Sequence, residues 1–146
     1  MTKAHVQPDR SALAVVQSAP HLVLICTSCR HKDQSIRPGP ALIAALRQAL
    51  ATAGLDREFA VSGTECMAGC DHPCAVAWTA AGKATYLFGD IDPAKDIDDL
   101  VTFATLYQGL EDGWCRAADR PGKLAKCTLG RIPAAPNHTA PQGVLP

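Results

Sequence analysis

Short apolar runs alternate with longer stretches in which apolar residues recur at helical spacing. Leu22-Val23-Leu24-Ile25 is a continuous apolar run ending on Cys26, and it predicts a strand buried on both faces. Pro40 suits a first helical position. Leu42, Ile43, Leu46 and Leu50 then form one face up to Gly54, which predicts a helix over about 40–53. Phe59 and Val61 alternate with smaller residues across Arg57–Ser62, a second strand. Cys74–Trp78 and Ala84–Phe88, joined through Ala81-Gly82-Lys83, read as a hairpin. Asp92-Pro93 has the form of an N-cap followed by proline, so a second helix is expected over about 93–109.

The order is therefore strand–helix–strand, hairpin, helix, which predicts an α/β fold: a small mixed sheet (βαβ-ββα) with helices packed on it. It is the element order of a thioredoxin-like domain. Residues 1–20 lack periodicity and are expected to be a flexible arm, with the domain over 21–112. Residues 113–146 carry Arg116, Arg120, Lys123, Lys126 and Arg131 among prolines and glycines, and read as an extended basic tail. That tail is expected to act as a solubilising extension or as a docking strip for an acidic partner.

At 146 residues with 47% hydrophobic content, the chain can build one real core. Fourteen basic residues balance fourteen acidic ones, so there is no bulk cationic excess for nucleic-acid binding. No apolar run reaches membrane-spanning length. Asp9 and Arg10 before a weak Ala/Val patch make a poor secretory signal, so a cytoplasmic protein is expected. Gly-rich phosphate loops, Gly-x-Ser-x-Gly and paired-histidine motifs are absent, which argues against a hydrolase or nucleotide enzyme. Asp96, Asp98 and Asp99 are expected to form an acidic solvated helix face.

Cysteine use changes the picture. There are seven, and in a reducing compartment clustered cysteines bind metal or do redox chemistry more often than they form disulfides. Five fall in two groups, Cys26-Thr27-Ser28-Cys29 and the segment Cys66-Met67-Ala68-Gly69-Cys70-Asp71-His72-Pro73-Cys74. Cys115 and Cys127 stand apart and read as packing residues. The first group leaves the first strand, and the second immediately precedes the third. In a thioredoxin-like sheet these loops lie side by side, so Cys26, Cys29, Cys66 and Cys70 could converge. Four thiolates in two short pairs are the ligand set of a 2Fe–2S cluster, and Gly69 would let backbone approach the sulfides. The same set could close a tetrahedral zinc site. His72 and Cys74 are alternates, His72 reading first as an outer neighbour and Cys74 as a packed strand-start thiol. Thiol–disulfide exchange is a third reading of Cys-x-x-Cys, but it wants a helix N-terminus, and Arg30 to Pro40 reads as a loop.

The strand ending in Cys26 and Cys29, the helix and strand after it, and Cys66-x3-Cys70 with a proline before the next strand together resemble the thioredoxin-like 2Fe–2S ferredoxins. Those ferredoxins have a longer gap in the first pair and no cysteine at the position of Cys74, so the fourth ligand stays open between Cys29 and Cys74. Cys26–Arg30, Cys66–Val76, Thr85–Asp90 and Arg131-Ile132-Pro133 are similar to a bacterial family of unknown function described as predicted metal-binding proteins, often encoded beside cobalamin-biosynthesis genes. The resemblance spans about residues 21–133. It implies a non-enzymatic single-electron carrier, or alternatively a metal-delivery or sensor protein. The partner would be a redox protein or a metal-handling enzyme, with a homodimer among the assemblies to test.

Overall fold

A computed structural model describes residues 19–30, 37–68 and 71–135. Five strands form one sheet in the order β2-β1-β3-β4-β5, where β1 is His21–Cys26, β2 Phe59–Thr64, β3 Val76–Ala80, β4 Thr85–Phe88 and β5 Thr128–Ile132. Among the described residues two α-helices accompany it, α1 (Gly39–Thr52) and α2 (Ile97–Gly109). β1 and β2 are parallel around the α1 crossover, and every other pair is antiparallel. This is an α/β fold with a mixed sheet, as the pattern of apolar positions predicted.

Registers put Val23 beside Val61 and Trp78, and Trp78 beside Tyr86, so the large side chains of neighbouring strands share one face. Both helices cover that face. Trp78 and Tyr86 meet Phe103 of α2 edge-on at 5.1 and 5.3 Å, and Leu42, Leu46 and Leu50 supply the buried stripe of α1. Edge-to-face packing of this kind adds about 0.5–1.5 kcal/mol per pair beyond area burial. The opposite face is only half covered: Leu22 and Leu24 are half-buried, where the apolar run predicted burial on both sides. Among the described residues both helices lie on the first face, and one layer of helices can dry only one side of a sheet.

Three further expectations are corrected. The segment after Gly113 is not wholly a tail, because β5 pairs with β4 and 3-10 turns at Ala117–Asp119 and Gly122–Ala125 bury Leu124 completely. Gly130, Arg131 and the interrupted Thr-Leu-Gly-Arg-Ile pattern hid that strand from a period-two reading. α2 begins four residues later than Asp92-Pro93 suggested. The Asp92 carboxylate accepts from the Ala94 N–H at 2.7 Å and closes a separate turn, leaving Asp96 at the N-cap. Asp96 is also not a solvated acid: it is 5% exposed, accepts from the Asp92 N–H and pairs with Lys123 Nζ at 2.8 Å. The expected arm at 1–18 and the chain beyond 135 lie outside the described residues. No described helix is long and apolar enough to cross a membrane.

Candidate metal centre

Because β1 and β2 run parallel, their C-terminal ends lie together: Cys26 is level with Thr64, and Thr27 N–H donates to Thr64 O at 2.8 Å. Cys66 follows two residues later. On the other flank, the Cys26 N–H donates to Ala75 O at 3.0 Å, which sets Cys74 beside the same strand end. The two cysteine groups thus leave one end of the sheet. Gly39 holds α1 against this end. A Cβ there would stand 2.3 Å from Cys26 O and 2.9 Å from Thr27 Cα, so only glycine lets the first turn of α1 reach the cysteine backbone.

The thiols have different surroundings. Cys26 and Cys29 are buried at 1% and 4% exposure, Cys74 is fully buried, and Cys66 is exposed. Burial pushes the Cys26 thiol up, but hydrogen bonds from the Cys29 side chain and from local Ser28 and Cys29 groups outweigh it, and its pKa is lowered. Burial, then the neighbouring Cys29 and Cys26, push the Cys74 thiol up to about 12. Cys74 is therefore a neutral thiol whose S–H donates a hydrogen bond to Cys26 O at 3.3 Å. Cys66 receives a different hydrogen bond: Ala68, in the left-handed region at φ 64°, donates its N–H to Cys66 Sγ at 3.2 Å. An amide aimed at sulfur stabilises negative charge on it and tunes a bound metal.

Of the residues singled out from sequence, Cys26, Cys29 and Cys74 are brought together, and Cys66 stands at the same sheet end. Cys70 lies outside the described residues. His72 turns to Asp90, with Nδ1 3.0 Å from Oδ2, while Asp90 N–H donates to His72 O. Cys127 is half-buried, burial raises its pKa, and its carbonyl accepts from Gly89 N–H; Cys115 Sγ meets the Tyr86 hydroxyl at 3.4 Å. Among the described residues no three thiol, imidazole or carboxylate side chains already stand in coordinating geometry. The donor set still fits a thiophilic metal, being sulfur-only, largely dry and served by an amide donor. Sequence reasoning missed Gly39, whose role depends on a contact with residues thirteen positions earlier in the chain.

A family model matches residues 23–134, which include both cysteine groups and all of the sheet but the first two residues of β1. The chain belongs to the family described as Protein of unknown function (DUF1636). No curated protein matches this DUF1636 chain. Among solved structures, a thioredoxin-like [2Fe-2S] ferredoxin from Aquifex aeolicus is similar at 16% identity and TM-score 0.53, covering 77% of this chain and 93% of that one. A wild-type structure of the thioredoxin-like ferredoxin from the same organism gives 18% identity and TM-score 0.45 over 57% of this chain and 84% of that one. A cysteine-to-serine variant gives 17% and 0.46 over 62% and 91%. The first likeness identifies the thioredoxin-like ferredoxin fold for this member of DUF1636.

Proposed function

We propose that Cys26, Cys29, Cys66 and Cys70 hold a 2Fe–2S cluster and that the protein passes single electrons to a partner protein, with no substrate chemistry of its own. The observation that carries this reading is the parallel β1–β2 pairing, which sets the Cys26 and Cys66 loops at one sheet end. A 2Fe–2S group bound there would supply a one-electron store. The chain's own part is to fix the first pair through the Cys26 and Thr27 backbone hydrogen bonds and to aim the Ala68 N–H at Cys66 sulfur. The exposed Cys66 loop is the side a redox partner would approach, since Cys26 and Cys29 are walled in by α1 and Cys74. Burial of both also argues against disulfide exchange, which requires an accessible attacking thiolate.

Cys74 fits as a packed thiol beneath the loop, with a pKa of about 12 keeping it protonated. The partner in this reading is a redox protein or a metal-handling enzyme of cobalamin metabolism in the cytoplasm. Anaerobic purification tests the reading through the absorption spectrum and iron and sulfide assays. A red-brown protein with equal iron and sulfide is expected. A colourless protein holding one zinc per chain would replace the cluster by a closed zinc site. Cys74→Ser should lower stability more than iron content. If Cys74→Ser abolishes the cluster and Cys29→Ser keeps it, the fourth ligand is Cys74.

A further inference from the structure

Residues 114–132 hold five basic side chains and one acidic, Asp119, although the whole chain is neutral. Their fold opens a cleft of about 960 Å³ between the 3-10 turns and β5, lined by Trp114, Cys115, Arg116, Arg120, Thr128 and Arg131 among others. The volume falls within the roughly 300–1,000 Å³ range of small-molecule sites. None of the candidate cluster ligands lines it.

The charges in the cleft are unevenly matched. Arg116 is held by Asp119 through Nε and Nη2, at 3.2 Å each. Arg120 and Arg131 have no carboxylate within ion-pair distance among the described residues. Both instead donate to one neutral acceptor, the Cys115 carbonyl, at 3.4 and 2.8 Å. Two guanidinium groups are thus drawn together at a single oxygen, where their like charges repel. Arg120 is only 9% exposed, lies over the Tyr86 ring at 5.6 Å, and its Nε has no hydrogen-bond partner among the described residues. A buried unpaired donor on a buried charge is costly unless a counter-ion answers it. Arg131 is braced by stacking on Trp114 at 3.7 Å.

We infer that this cleft binds the phosphate group of a small molecule. One carboxylate balances only one of the two guanidinium charges, whereas a tetrahedral dianion offers oxygens to both forks and balances both charges. The site is independent of the cysteine end and of the function proposed for it.

The test is a phosphate titration of the full chain at constant ionic strength. Trp114 is the reporter, since Trp78 is fully buried. A saturable fluorescence change is expected, with calorimetry following the variants. Arg131→Gln should weaken phosphate binding about tenfold or more, the usual consequence of removing one charged hydrogen-bond partner. Arg120→Lys, which keeps the charge and loses the fork, should weaken it too; if that variant does not fold, Arg131→Gln decides alone. Tighter binding of phenyl phosphate than of inorganic phosphate supports an organic phosphate as ligand, and equal binding supports the free ion. A response that never saturates, one unchanged in Arg131→Gln, or binding of citrate or an acidic peptide without phosphate would each overturn the proposal.

Discussion

The two ends of β1 bury polar side chains in opposite ways. At the N-terminal end His21 is 6% exposed and every ring nitrogen is answered. Nδ1–H donates to Glu58 O at 3.1 Å, and Nε2 accepts from Lys83 Nζ at 3.0 Å, which fixes the neutral tautomer. Lys83 also caps α2 by donating to Tyr107 O at 2.7 Å and Gln108 O at 3.2 Å. Phe59 stacks on the imidazole at 4.6 Å. At the C-terminal end, Cys26, Cys29 and Cys74 are as deeply buried, but their thiols have weak donors and long contacts. The first end is closed by strong hydrogen bonds. The second keeps soft sulfur donors in a dry wall, the donor type that a thiophilic metal takes.

Substitutions can separate the two ends. The largest effect is expected at the cysteine end: Cys66→Ser or Cys70→Ser should remove most bound metal, read by iron and sulfide assay, with the fold retained in circular dichroism. Full metal content in both variants would refute the site assignment. Next comes Gly39→Val, which forces side-chain atoms into the Cys26 carbonyl. It should destabilise by about 1–3 kcal/mol in denaturant melts, the usual scale of overpacking, and disturb metal uptake as well. Lys83→Met acts at the far end. Losing a charged donor to two helix-terminal carbonyls should cost about 1.5–3 kcal/mol of stability, with metal content per folded chain unchanged.

A pH titration of stability sharpens the contrast further. Burial, the first cause, lowers the His21 pKa below 6.5, with Lys83 opposing protonation and the Glu58 carbonyl favouring it. The unfolded chain then binds the proton more readily than the folded one. Stability from this group is complete above pH 6.5 and falls as the pH drops below it toward the folded pKa. His21→Phe should flatten that slope, measured as midpoint shifts in urea between pH 7.5 and 5.5. The smallest effect is expected for Cys127→Ser, which should leave metal content intact and change stability only slightly.

Much of the fold was legible because apolar spacing reports burial directly. Leu42, Leu46 and Leu50 marked α1, and Phe59 and Val61 marked β2, within two residues of their observed bounds. The misreadings share a cause. β5 has Gly130 in the row that Thr128 and Ile132 share, where alternation would place an apolar side chain, and its pairing comes from an open β4 edge that no local pattern announces. Asp92-Pro93 is a sound helix-start signal locally. It lost to Asp96 because Lys123, distant in sequence, pairs with the Asp96 carboxylate. The cysteine groups were visible as spacing, but spacing cannot rank Cys29 against Cys74.

By itself the sequence determined the helices, four strands and the two cysteine groups, because periodicity and short chelate spacings are local properties of the chain. The tertiary structure alone decided which thiols share a wall, that Gly39 must be glycine, and that His72 turns to Asp90. It also decided that five basic residues of a supposed tail fold beside the sheet edge, leaving Arg120 and Arg131 on one carbonyl. Apart from Arg120 on the Cys115 carbonyl, five residues away, these are contacts across 13 to 48 residues of chain or between edges of a sheet. Their energy depends on burial and on the neighbour present, and neither is written in a window of sequence.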